Sequence, residues 1–160
     1  MAEPLSVRGA NVKIRNPLGV FALSLVTLGI YSIFWYYFIH RELRDYGRGS
    51  AQQSEGVRRL REISPGTSVL AITLGGFLIV PPFVSAWRSF GRIETAQRVS
   101  GIPELDRVGV GLGFALYFIE LVAPLFFSAA YAQSHLNRVW RAEQAAAERR
   151  LAANPPAFTG

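Results

Sequence analysis

Three long stretches of the chain are nearly free of charge, and each is followed by a short, strongly basic segment. No charged side chain occurs from Asn16 to Ile39 or from Ile63 to Trp87, and Glu120 alone interrupts Val108–Tyr131. As a helix, Pro17–Ile39 rises roughly 34 Å, enough to cross a hydrocarbon core of ~30 Å with some tilt. The pattern therefore predicts an all-α integral membrane protein with three transmembrane helices at 17–39, 66–86 and 108–131. Behind the third run, residues 132–153 are rich in Ala, Gln, Glu and Arg and predict a helical tail. Leu136, Val139, Trp140, Ala147 and Leu151 fall roughly on one face of it, a stripe suited to a membrane surface or a partner. Residues 1–153 read as a single membrane domain, with Gly47–Gly56 a mobile loop. Asn154-Pro155-Pro156 ends the tail helix, so 154–160 read as a loose C-terminus.

The ends and interruptions of the runs refine this picture. The first run exceeds the apolar core of a signal peptide and no A-x-A-like site follows it, so it is expected to stay in the protein. Asn16-Pro17 suits a helix start, Asn as a cap and Pro at the first helical position. Trp35, Tyr36, Tyr37, Trp87 and Trp140 lie where aromatic anchors meet headgroups. Pro81-Pro82 leaves backbone carbonyls one turn back without partners, which predicts a kinked second span, or, in the sharper reading, a broken or re-entrant one. Gly109 and Gly113, and the stripe Thr67, Ala71 and Gly75, would let helix backbones approach closely.

Composition narrows the function classes. Of 160 residues half are apolar, 17 Lys+Arg oppose 11 Asp+Glu for a net charge of +6, and there is no cysteine. That rules out thiolate catalysis, cysteine zinc sites and redox switching. There is no Walker loop, no G-x-G-x-x-G and no G-x-S-x-G, so no enzyme activity is predicted. His40, His135 and Glu42 lack metal-ligand spacing, so neither a metal site nor a cofactor is expected. Arg58-Arg59-Leu60-Arg61 sits beside an apolar run and reads as an anionic-lipid contact rather than a nucleic-acid site. In a three-span arrangement Arg8, Lys13, Arg15, Arg88, Arg92, Arg98 and Arg107 share one side, and the other ten cations share the opposite side. Positive-inside counting then puts the C-terminus in the cytoplasm of a multi-pass plasma-membrane protein.

Several segments together resemble a known family. Arg15-Asn16-Pro17, Thr27-Leu28-Gly29-Ile30-Tyr31, Trp35-Tyr36-Tyr37 and Arg41-Glu42-Leu43-Arg44-Asp45 are similar to the signature of the domain-of-unknown-function 4234 family. So are Ser64–Gly75, Arg88-Ser89-Phe90-Gly91-Arg92-Ile93 and Gln133–Trp140, making the resemblance extend over about residues 12–141. It implies a small prokaryotic integral-membrane protein of the actinobacterial type, and it carries over no catalytic residues.

Glu120 is the residue that most invites a function. An acid in mid-run costs on the order of 3 kcal/mol to insert, and such groups usually face a bundle interior or an aqueous cavity. Pro124 cannot donate to its carbonyl, so carboxyl and freed acceptor coincide. One reading is a proton or cation site; the other is a hydrogen-bonded carboxyl joining helices. At the level of function these become a structural or accessory membrane subunit, and an oligomeric ion or solute pathway around Glu120 and Pro81-Pro82. The expected partners are the lipid bilayer with its anionic lipids, plus a second copy or another membrane protein.

Overall fold

The computed structural model describes residues 2–73, 80–120 and 126–153. It opens with a β-hairpin the apolar runs do not announce: β1 (Ala2–Val7) pairs antiparallel with β2 (Ala10–Arg15), Val7 opposite Ala10. Arg8 (φ 50°) and Gly9 (φ 78°) form the two-residue turn, both left-handed as a type I′ hairpin requires. Val7, Ala10 and Val12 alternate onto the buried face.

Among the described residues seven α-helices follow. Helix α1 (Pro17–Val26) is capped by the Asn16 side chain, which accepts from the Leu18 N–H at 2.9 Å. It stops at Thr27, and Leu28 (φ 50°) and Gly29 (φ 90°) turn the chain into α2 (Ile30–Gly49). Next come α3 (Glu55–Arg61), α4 (Pro65–Thr73), α5 (Val80–Val99), a 3-10 turn at Glu104–Asp106, α6 (Val110–Glu120) and α7 (Phe127–Ala153). Among the described residues no helix is long and apolar enough to cross a membrane.

The three straight spans expected from hydropathy are therefore replaced by three helical pairs, each closed at its open end by specific bonds. The Arg15 guanidinium reaches the Glu42 carboxylate at 2.6 Å, joining the start of α1 to the middle of α2. Were 17–39 one straight helix, these two groups would stand more than ~30 Å apart. Arg92 of α5 donates to the Ser68 hydroxyl of α4 at 3.0 Å. In the third pair the Gly109 N–H donates to the Tyr131 hydroxyl at 2.9 Å, and Arg138 donates to the Asp106 carbonyl at 2.9 Å. Pro81 and Pro82 lie in the first described turn of α5, and the segment before them, on which a kink or a break depends, lies outside the described residues. The connections 74–79 and 121–125, with Gly75 and Pro124, lie outside the described residues, as do 154–160.

The apolar ends of the pairs converge. A Cβ on Gly29 would meet the Phe126 ring at 3.1 Å, Phe21 stacks on Phe127 at 5.3 Å, and Phe83 contacts Phe118 at 5.9 Å. At the opposite end lie the β-hairpin, α3 and the C-terminal halves of α2, α5 and α7, around a core of Leu43, Tyr46, Leu60, Ile93, Leu136, Val139 and Trp140. The Gly47–Gly56 segment is helical at both ends and irregular between them: α2 runs on to Gly49, α3 begins at Glu55, and a Cβ at Gly47 would sit 2.7 Å from that of Leu60 in α3. The tail stripe is divided, since Leu136, Val139 and Trp140 are core whereas Ala147 and Leu151 are exposed.

Gly113 marks the closest approach of α6 to α5, for a Cβ there would overlap the Phe90 ring. Gly113→Val is expected to destabilise the protein by about 1–3 kcal/mol through overpacking, and Phe90→Ala in the same chain to recover part of that loss. Thermal unfolding of the single and double variants in detergent measures both; strictly additive losses would refute the contact.

Candidate functional site

Two polar systems cross the bundle, and a cavity lies beside one of them. The first begins at the β-hairpin. Arg15, only 8% exposed, holds both Glu42 oxygens, at 2.6 and 3.1 Å. Its backbone N–H donates to the Asn137 side chain at 3.2 Å, and its carbonyl accepts from the same amide at 2.6 Å. Gln133 donates to Asn137 at 2.8 Å and accepts from the Trp35 indole at 2.7 Å. One continuous chain of bonds thus ties β2, α2 and α7. Beside it Arg8 grips Glu143 with two bonds at 2.7 and 2.9 Å, Tyr46 donates to the same carboxylate at 2.6 Å, and the Arg8 guanidinium lies 5.2 Å from the Tyr46 ring centre.

The second system joins α2 to α5. The Tyr36 hydroxyl meets the Ser85 hydroxyl at 2.9 Å and also contacts Ser89. His40 places Nδ1 2.8 Å from the Tyr36 carbonyl, which can only accept, so Nδ1 carries the proton and Nε2 faces the Ser89 hydroxyl at 3.1 Å. Serine and histidine at that distance suggest a nucleophile and its base. Ser89 Oγ, however, also bonds the Ser85 carbonyl at 2.7 Å and Tyr36. With three partners around one hydroxyl, the group works as a packing hub. Burial, followed by the nearby Arg92 charge, pushes the His40 pKa down to about 3, too weak a base for such a role.

A cavity of about 460 Å³ opens between α2, α4, α5, α6 and α7. Its wall is mainly apolar (Ile33, Ile39, Ile72, Phe90, Ile93, Ala132), with Tyr36, Ser89, Tyr117, Glu120 and Ser128 at intervals. The Ser32 hydroxyl on this wall is buried and has no partner among the described residues. Glu120 accepts from the Ser128 hydroxyl at 2.7 Å and from the Ser128 N–H, so its carboxyl caps the first turn of α7. Both oxygens thereby serve to join α6 to α7.

The aromatic anchors divide. Trp35, Tyr36 and Trp140 are buried, which corrects their placement at an interface; Tyr37 and Trp87 are 39% and 52% exposed. Gly113 packs within the chain, while Gly109 has only loose contacts and Ala71 is half-buried. His40 and His135 belong to separate clusters, the second with Gln97, whose amide lies 3.1 Å from His135 Nδ1 and accepts from the Val108 N–H at 2.7 Å. Gln97, Gln133, Asn137, Ser85 and Ser89 escape hydropathy reading. Their signal was spacing: Ser85 and Ser89, and Gln133 and Asn137, stand four apart on one helix face.

Residues 15–95 match the family described as Domain of unknown function (DUF4234). The chain belongs to this family. The match takes in the first two helical pairs, ending within α5, so the third pair and the tail stand outside it. No curated protein and no solved structure matches the chain.

Two outcomes follow from the polar systems. Glu42→Ala leaves the buried Arg15 charge without its partner and should cost about 3–5 kcal/mol; the double variant Arg15→Met/Glu42→Leu should cost less, since no bare charge then stays inside. Chemical denaturation of the set decides it. His40 and His135 are held neutral by burial, near pKa 3 and 4, whereas the unfolded chain takes up these protons near 6.5. Stability must therefore fall as pH drops from about 6.5 toward 4, and His40→Gln should flatten the decline. Unfolding midpoints that rise on acidification would contradict this.

Proposed function

We propose that the protein is a non-catalytic membrane component: its apolar end sits in lipid and its charged end serves as a platform for another subunit. One observation carries this. Large apolar side chains cluster bare at one end of the molecule, Val26, Leu28 and Ile30 at 81%, 89% and 61% exposure joined by Phe118, Ile119 and Phe127, while Leu18, Leu105 and Leu151 are exposed elsewhere. A soluble monomer rarely exposes so continuous an apolar surface, and its presence marks a lipid or protein contact. The charged side chains gather at the other end, and several are spent on internal ion pairs. Among the described residues most buried hydroxyls, histidines and carboxylates, Ser24 and Ser32 excepted, are engaged with one another, which favours a scaffold over an enzyme.

The test is flotation of the purified chain with liposomes containing anionic lipid. The expected result is co-flotation that survives high salt, because apolar burial and not charge alone holds the protein. Val26→Asp with Leu28→Asp should lower the floated fraction at least tenfold. Native mass spectrometry of the protein taken gently from its own membrane then reads the accessory role: a stoichiometric foreign subunit supports it, and a closed homo-oligomer points instead to a pathway.

A further inference from the structure

Resting on the membrane reading above, we infer that the chain enters the bilayer from one side only: all three helical pairs dip into a single leaflet and return. Both ends of the described chain and every charged loop then share one face of the membrane.

The closure bonds carry the argument. A three-span arrangement puts the N-terminal arm across the bilayer from the first loop and from the tail. In the molecule Arg15 of that arm holds Glu42, and Arg8 holds Glu143 of the tail. It likewise puts the second loop across from the tail, yet Arg138 donates to the Asp106 carbonyl. No bilayer fits between groups in hydrogen-bond contact. The length agrees where both ends of the helix are described: α1 has 10 residues, rising about 15 Å, roughly half the hydrocarbon thickness.

The turn between α1 and α2 is built for hydrocarbon. Irregular backbone at lipid depth needs its polar groups satisfied internally. Here Thr27 N–H bonds the Leu23 carbonyl, Leu28 bonds Leu25, Gly29 bonds Ser24, Ile30 bonds Thr27, and Tyr31 N–H bonds the Thr27 hydroxyl. The left-handed position ahead of Gly29 holds Leu28, and that ahead of α7 holds Phe126. In water such positions favour Gly or Asn, because a bulky side chain is strained there. An exposed leucine at that place suits a medium in which a polar side chain would be worse. Behind the apolar end, exposed Lys13, Arg41 and Arg88 lie where α1 begins and where α2 and α5 leave the apolar zone. That ring of charge complements the anionic headgroups of one leaflet.

The chain has no cysteine, so single-cysteine variants carry no background. Ser6→Cys, Gln53→Cys, Glu104→Cys, Ala152→Cys and Leu28→Cys would each be treated with an impermeant maleimide in right-side-out and inverted vesicles from the expressing cells. The expected result is that the first four label in inverted vesicles alone, the cytoplasmic face where cations gather. Leu28→Cys should label in neither preparation, and a fluorophore attached there in detergent should be quenched by lipid-borne nitroxide after reconstitution. Labelling of Ser6 with Glu104 from one face and Gln53 with Ala152 from the other would overturn single-sided entry while leaving membrane residence intact. Labelling of Leu28 from the outer face would overturn it too. A chain recovered free of the membrane, with its apolar end covered by a second copy, would overturn both readings.

Discussion

The bond between Arg15 and Glu42 is the constraint on which the rest of the architecture hangs. It lies between the first strand pair and the middle of α2, and it is satisfied only if the chain reverses after α1. Once α1 and α2 lie side by side, Asn137 finds both backbone groups of Arg15, and Gln133 one turn before it finds Trp35. That fixes α7 against the first pair. Burying such an ion pair gives little net stability, because desolvation offsets most of the attraction. Its effect is selective. Any arrangement that separates the two groups leaves a bare charge inside, so straight and slipped alternatives are penalised far more than the native one is rewarded.

The second polar system does the same for α5. Tyr36, His40, Ser85 and Ser89 satisfy one another across the α2–α5 contact, and Gln97 a few turns later engages His135 and the start of α6. The three pairs are thus joined by directional bonds at one end, whereas at the other the contacts are rings and aliphatic groups. Helices that met only through apolar surface would have no preferred register in lipid, where hydrocarbon competes equally for the contact. Serines, glutamines and an asparagine along otherwise apolar interfaces supply that register. The same economy explains Glu120, whose carboxyl is taken up in capping α7.

Much of this was legible in the chain and some was not. Helical content, the Asn16 cap, the close approach at Gly113 and the family all follow from residue patterns. The reversal after Val26 did not, because hydropathy sums over a run and is blind to direction: 23 uncharged residues weigh the same straight or folded back. The local clue was Thr27-Leu28-Gly29, where threonine can bond its own helix and glycine accepts a φ of 90°. The β-hairpin was hidden by its charges, though Val7, Ala10 and Val12 alternate around Arg8-Gly9. Trp35, Tyr36 and Trp140 look like interface anchors because an aromatic at the edge of an apolar run is usually one. Trp35 and Tyr36 instead turn their polar atoms to inward partners, Gln133 and Ser85, and Trp140 packs edge-on to Tyr46, facts that depend on which helix stands opposite.

The near-tie in the positive-inside count has a physical origin once the pairs are known. Dividing the cations into seven and ten assumed that every apolar run carries the chain across. Bonds between the supposedly opposite groups, Arg8 with Glu143 and Arg138 with Asp106, make them one population. None of the 17 Lys and Arg residues lies within 17–39, 66–86 or 108–131. Under single-sided entry the count is no longer a contest between two faces. All the basic charge stands against one leaflet and none against the other, a far stronger determinant of orientation than a margin of three. On the proposed single-sided entry a near-even split is what a count with misplaced crossings produces, and the hydrogen bonds between its two halves supply the reason.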